Sequence, residues 1–416
     1  MTENSKIYAP NVYLFAFHHC QTRELESSSP GEFTKLWQKC DEILQTKLAV
    51  GTAFNGSYLS KKDEPTGRRV NLINKQVVGN RKSLPFGKNI PHDNQQINLK
   101  GFAEPLRIQD SYALGLQIRV PEKVDGNKTS AVDVSIFQEF NPDNCLLPDF
   151  VQSNFGQTLL LTAWLSIEQN QAAREDSQFL KNLGTQCLEK LISGENRPDF
   201  YRQGELFGSP ILEYGNPSLP DSYCHVIIWF FKTPATDEIW DDTRYSDFMD
   251  LFFYRNNILH AYHDSRKLYL VTREEYKQIE LDIDKTFKYL QREQSQQRQS
   301  KGAGLKQKEL EYLKGQMIEM PLRAVKYAGM LNDLQDRENT IALHAQNYQN
   351  KLNEISLDIK AAKKYNDSDA DLSFLAAFSK ETCPQFQRQI QADLGYFTHR
   401  SGLLDQATEA IRAIVA

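Results

Sequence analysis

Apolar residues recur at alternating three- and four-residue steps through the last quarter of this 416-residue chain. The stripe comprises Leu310, Leu313, Met317, Met320, Ala324, Tyr327, Leu331, Leu334, Ile341, Ala345, Tyr348, Leu352, Ile355, Ile359 and Ala362, with Glu338 the polar residue in register. This heptad spacing predicts a helix whose stripe seats another helix. At about 1.5 Å per residue the rod spans roughly 80 Å, and Pro321 inside it predicts a kink, because proline removes a backbone donor and crowds the preceding turn. Residues 363–369 read as a turn. Beyond them Cys383, Ile390, Phe397, Leu404 and Ile411 keep a heptad step. Two long heptad helices joined by a short turn predict an antiparallel hairpin.

Upstream, Thr272 and Glu275 have the spacing of a capping box, opening a helix on which Tyr276, Ile279, Ile283, Phe287 and Leu290 continue the heptad. Gly302-Ala-Gly304 reads as the break before the rod. Phe248, Leu251, Phe252, Ile258, Leu259 and Tyr262 follow helical spacing too. The first part of the chain is patterned differently. Residues 12–17 are β-branched and aromatic, and 112–120 alternate with period two, so both read as strands. Residues 131–137, 158–165, 211–214 and 226–231 are further strand candidates. Ser29, Pro30 and Glu32 signal a helix start ahead of the apolar face Phe33, Leu36, Trp37, Cys40, Ile43 and Leu44, and 171–193 carries a second helical face. Residues 60–96 are polar and broken by proline and glycine, which reads as a long loop with a strand piece near 70–73.

These elements predict an α+β protein: an N-terminal mixed sheet covered by helices, followed by an all-helical domain with a long antiparallel heptad hairpin. Only Pro321 and Pro384 of the sixteen prolines lie after Trp240. The boundary therefore falls near 233–242, giving an α/β domain over 1–240 and a helical stalk over 241–416, with helices at about 272–299, 305–362 and 369–416.

Composition narrows the class. At 40% hydrophobic and 25% charged residues the chain is ordinary for a soluble globular protein. A net charge of −5 offers no global attraction to nucleic acid. Six cysteines without a Cys-x-x-Cys pair read as free thiols in a reducing cytoplasm, with no zinc site. The polar N-terminus has no signal-peptide pattern, and no run of about 18 apolar residues is present. The apolar-rich end at 410–416 carries no C-cap, so the chain is expected to continue into something longer.

Candidate chemistry is sparse. Arg255-Asn-Asn-Ile-Leu-His260 resembles the Arg-x4-His motif of HEPN ribonucleases. That resemblance implies that Arg255 stabilises phosphate charge and His260 serves in acid–base work. Arg255 also continues the apolar stripe of its own helix, which is the pattern of a structural, ion-paired residue. His260, His263 and Asp264 lack an identifiable further metal ligand, and no metal or cofactor is expected. His18, His19 and Cys20 pair a thiol with a base, but no glycine-rich oxyanion turn accompanies them, and they fit a strand end equally. Lys61, Lys62, Arg68, Arg69, Lys75, Arg81, Lys82 and Lys88 give the polar loop a basic bias suited to an anion or to solvent. Gly87-Lys88 lacks the glycine and the Ser or Thr of a P-loop. The aromatic stretch 228–231 with Trp240, Phe248, Phe252 and Phe253 can floor a pocket at the domain junction or fill a core.

An α/β domain followed by paired long helices and an apolar final segment, Leu403 to Ile414, resembles the cytoplasmic part of CorA-like membrane proteins. The resemblance implies a homo-oligomer whose last helix continues into a membrane beyond Ala416. Those architectures in turn resemble membrane effectors of bacterial defence systems. The Gly-Met-Asn tripeptide of the transporters is absent, so magnesium transport is not implied. The expected function is a non-enzymatic sensor or scaffold: the α/β domain binds a ligand or partner protein, and the helices oligomerise or couple to a membrane. The alternative is RNA cleavage by Arg255 and His260.

Overall fold

The structure, a computed structural model, describes residues 5–19, 33–54, 69–74, 76, 79, 81–219, 224–299 and 307–415. The chain divides into two units, Met1–Asn256 with Asn347–Ala377, and Asn257–Gln346 with Phe378–Ala416.

The first unit is built on a mixed sheet. Its strands are β1 (Lys6–His19), β2 (Arg69–Asn71), β3 (Leu84–His92), β4 (Gln95–Ile108), β5 (Ser111–Arg119), a small hairpin of β6 (Lys123–Val124) and β7 (Asn127–Lys128), β8 (Val132–Asp133), β9 (Gln157–Trp164), β10 (Phe200–Leu206), β11 (Ser209–Tyr214) and β12 (His225–Phe231). The main sheet runs β10-β11-β12-β9-β1-β5-β4-β2, with β3 on β4 and β8 on β1. The β9–β12 pair is parallel and the remaining pairs are antiparallel.

Both faces of the sheet are covered, so its central strands are apolar throughout. Val12, Leu14 and Ala16 of β1 belong to the core beneath α1 (Phe33–Glu42), α2 (Ile136–Phe140), α3 (Pro148–Val151), α4 (Ile167–Glu175) and α5 (Phe179–Leu191). The alternate residues Tyr13, Phe15 and Phe17 meet Tyr245, Phe252 and Phe253 from the first turns of α7 (Asp242–Gln299), which follows the short α6 (Pro234–Ile239).

Several local expectations change. The stretch read as a loop over 60–96 holds the β3–β4 hairpin, turned by Asp93 and Asn94 at φ 49° and 60°. Pro85 and Pro91 are compatible with β3 because among the described residues it pairs with β4 alone and needs no ladder donors on its other side. Residues 131–137 give only β8 and then α2, and 171–193 is split into α4 and α5 around residues 176–178. Strand β10 escaped the pattern because its outer residues stay half exposed. Thr272 caps nothing: it is fully buried inside α7, which runs unbroken from Asp242. Ser29, Pro30, Glu32 and Cys20 lie outside the described residues.

The second unit is a bundle of three helical segments, from α7, α8 (Gln307–Ala361) and α10 (Cys383–Val415), which follows the short α9 (Ser373–Ala377). The α7–α8 pair is antiparallel, and ion pairs Asp282–Arg323 and Glu275–Lys326, each 2.6 Å, set its register. Helix α8 also runs against α10, where Tyr327 Oη donates to the Phe397 carbonyl (3.2 Å) and Gln391 Nε2 to Glu338 (3.1 Å). Tyr262 stacks on Phe386 with ring centroids 3.7 Å apart. The expected hairpin partner of the rod is therefore joined by a second: Tyr276, Ile279, Tyr327, Leu334 and Phe397 form one core from three helices. Most of the rod's stripe is buried or half-buried, with Leu313, Leu334, Ile341 and Ile355 fully inaccessible, while Ala362 at its end is exposed. Helix α8 continues through Pro321. The side chains of Leu310, Leu290, Leu404 and Ile411 lie outside the described residues.

Candidate functional site

A break in one ladder opens a cleft in the first unit. The β1–β9 register shifts between Tyr8 and Asn11, where Ala9 sits at φ 48° and Pro10 has no N–H to give. A bulge of this kind kinks a strand and re-aims its side chains. The displaced groups are satisfied locally: Val120 N donates to the Pro10 carbonyl (3.0 Å) and Asn11 Nδ2 to the Ala9 carbonyl (3.0 Å). Beside the bulge lies a cleft of about 430 Å³, within the range of small-molecule sites.

Its walls are aromatic: Tyr13, Phe102, Trp164, Phe231, Trp240 and Tyr245. Trp240 stands edge-on to Tyr13 at 5.5 Å, and Trp164 edge-on to Phe231 at 5.7 Å. Tyr13 Oη accepts from Gln117 Nε2 (2.8 Å) and Trp240 Nε1 (3.1 Å), which leaves its own hydrogen for a further partner. Burial raises the Tyr13 phenol above its ordinary value, so it stays protonated at neutral pH. Polar groups converge from four places. Asn11 and Gln117 come from the sheet, Arg119 from the end of β5, Glu122 from the turn that follows, and Asp237 and Asp241 from the helical side. Glu122 accepts from Trp164 Nε1 (3.1 Å), and Asp241 caps α7 through Thr243 N and Arg244 N, both 2.9 Å. Burial, with Glu122 and Glu238 nearby, pushes the Asp237 carboxyl up to about 6. The cleft thus offers aromatic rings, the cations Arg119 and Lys123 and an acidic rim, with a mostly polar exposed surface, a set able to accommodate a small polar molecule.

A second polar constellation is sealed inside the same unit. Glu213 on β11 accepts from Arg255 Nη2 (2.7 Å) and His225 Nε2 (3.1 Å) at one oxygen and from Arg202 Nε (2.5 Å) at the other. Burial alone would raise the Glu213 carboxyl, but Arg255, His225 and Arg202 outweigh it and hold the group well below its ordinary range. Burial and then Arg255 press His225 down to about 4. The ring is therefore neutral, with Nε2–H donating to Glu213 and Nδ1 accepting from Thr158 Oγ1 at 2.8 Å. Arg202 also lies over the Phe374 ring, 4.3 Å from its centroid. This node ties β9, β10, β11 and β12 to α7.

Arg255 is thus 3% exposed and committed to Glu213. His260 is partly exposed and lies 3.3 Å from Asp264. Among the described residues no three His, Cys, Asp or Glu side chains converge as metal ligands. His18 is buried at the end of β1 and His19 is exposed, while Cys20 lies outside the described residues. Of the basic stretch, Arg69 Nη1 donates to the Ser246 carbonyl (2.9 Å) and lies 3.4 Å from Asp250. Arg81 and Lys82 are exposed and Lys88 half-exposed on or beside β3, and Lys61, Lys62, Arg68 and Lys75 lie outside the described residues. Phe248, Phe252 and Phe253 are core, whereas Phe231 and Trp240 reach the cleft. Sequence reasoning passed over Arg119, Glu122 and Asp237. The available signal was Ala9-Pro10 interrupting a strand-like run, which marks a bulge.

No family model matches the chain, and no curated protein matches it significantly. The resemblance to CorA-like membrane proteins is overturned: neither comparison returns that family, and among the described residues no helix is long and apolar enough to cross a membrane.

Proposed function

We propose that the protein is a non-enzymatic binding and assembly factor: its α/β unit holds a small ligand in the bulge cleft, and its helical bundle supplies contacts to other protein chains. The cleft carries this reading, because it is a polar and aromatic cavity beside a sheet irregularity. The paired long helices support the assembly half. A reducing compartment suits the five described cysteines, which are buried and not joined in disulfides.

Mass spectrometry of small molecules released from the purified full chain tests the reading. The expected result is a compound carried by the wild type and lost from Arg119→Ala and Asp237→Asn variants. A compound set identical in all three proteins would sink the cleft as the binding site. RNA cleavage is the less supported alternative, since it asks a buried, ion-paired Arg255 to reach a phosphate.

A further inference from the structure

The heptad seam of α8 is filled within the chain, yet the opposite face of the same helix carries a second one. Gly315, Ile318, Leu322, Val325 and Gly329 follow the same three-four spacing. Ile318, Leu322 and Val325 are 68%, 67% and 73% exposed, and a side chain built at either glycine would meet nothing within 4 Å. Three consecutive apolar layers at solvent, flanked by two open glycine positions, form a short coiled-coil seam without an occupant among the described residues.

The seam selects its own partner. Ile318 lies four residues before Leu322, and Gly329 four residues after Val325. In an antiparallel pairing of two copies Ile318 of one chain enters the gap at Gly329 of the other, and Leu322 lies against Val325. A parallel pairing would set glycine on glycine at both ends, whereas the antiparallel register fills the gap at Gly329 in each chain. Charge agrees with the antiparallel register. Glu319 and Lys326 sit on one flank of the seam, and in antiparallel coiled coils positions on the same flank face each other, so each Glu319 meets a Lys326. Glu319 is exposed and has no ion pair among the described residues, and the Lys326 side chain is 59% exposed although it also touches Glu275. A groove lined by Glu275, Gln278, Leu322, Arg323 and Lys326 runs along that flank and gives the incoming carboxylate room.

We infer that this face of α8 docks on a second copy of the same chain, antiparallel, with Ile318 against Gly329 and Glu319 against Lys326. The inference deepens the assembly half of the proposed function and is independent of the cleft, so an empty cleft would leave it standing.

Sedimentation equilibrium of the full chain at micromolar concentrations tests self-association, and cysteine pairing tests the register. The wild type is expected to dimerise. Leu322→Glu should weaken the dimer at least about tenfold, as for removal of a central interface anchor, and Glu319→Lys should weaken it less, through repulsion from Lys326. Because Leu322 and Glu319 are exposed, the unfolding midpoint of both variants should match the wild type at concentrations low enough to leave all three monomeric, where association adds nothing to stability. In a Cys20→Ser background, mixing Ile318→Cys and Gly329→Cys chains should give the mixed disulfide in excess over either homodimer. A wild type that stays monomeric at 100 times the working concentration overturns the inference. So does a dimer indifferent to Leu322→Glu, or an Ile318→Cys chain that links mainly to itself, as a parallel dimer would.

Discussion

Glu213, His225, Arg255 and Arg202 illustrate how a buried charge survives only when every neighbour answers it. Glu213→Gln removes one charge and strands two guanidinium groups, and the expected cost is about 3–5 kcal/mol by denaturant unfolding, as for other broken buried pairs. His225 adds a pH dependence of definite sign. Its folded value is depressed to about 4, against about 6.5 in the unfolded chain, so between those values the unfolded state binds the extra proton and stability falls as the pH drops. Relative to a His225→Gln variant, whose site cannot titrate, the wild type should lose about 3 kcal/mol between pH 6.5 and 4. Parallel urea titrations across that range measure the difference; a flat difference would show that His225 is not held neutral by the fold. Neither residue stood out in the sequence. A glutamate in an apolar strand and an arginine on an apolar helix face are separate oddities until β11 and α7 meet.

At the scale of elements the bulge in β1 is the decisive irregularity. Ala9 occupies the left-handed region, where a β-branched side chain collides with its own backbone. Ala9→Val should therefore destabilise the α/β unit by roughly 1–2 kcal/mol and Ala9→Gly should not, as read from thermal unfolding. If both variants unfold with the wild type, the strained backbone at Ala9 is not what shapes the cleft. Elements whose pattern is local were legible: β1, β5, β9, β11, β12 and the rod all follow from periodicity. Elements at the sheet edge were not, because β3 and β10 expose alternate residues and tolerate proline or polar side chains. Helical spacing over 248–262 was legible, but the continuity of α7 through Thr272 was not. A Thr-x-x-Glu spacing is a cap only where the preceding backbone leaves the helix, and apolar residues on both sides of Thr272 keep it helical.

For the molecule as a whole, Arg255 and His260 separate structural from catalytic demand. Arg255→Met should lower the unfolding midpoint of the full chain sharply, because Glu213 then lies buried with less compensation. His260→Ala, at a partly exposed position 3.3 Å from Asp264 one helical turn away, should leave it within about 0.5 kcal/mol. Neither change should alter RNA added to the protein. Cleavage by the wild type that disappears in His260→Ala would overturn the binding reading in favour of the enzyme.

The sequence by itself determined that this protein joins a turn-rich sheet to long helices, and that one face of α8 is buried, because period two and period three-and-a-half are properties of neighbouring residues. Tertiary structure alone decided what fills that face: α7 and α10 share it, so the inner seam closes within the chain. It also decided that Arg255 serves Glu213, and that Tyr13, Arg119, Asp237 and Trp240 meet around one cleft. Those residues lie up to 227 positions apart along the chain, and no local pattern encodes a contact that only the packed sheet creates.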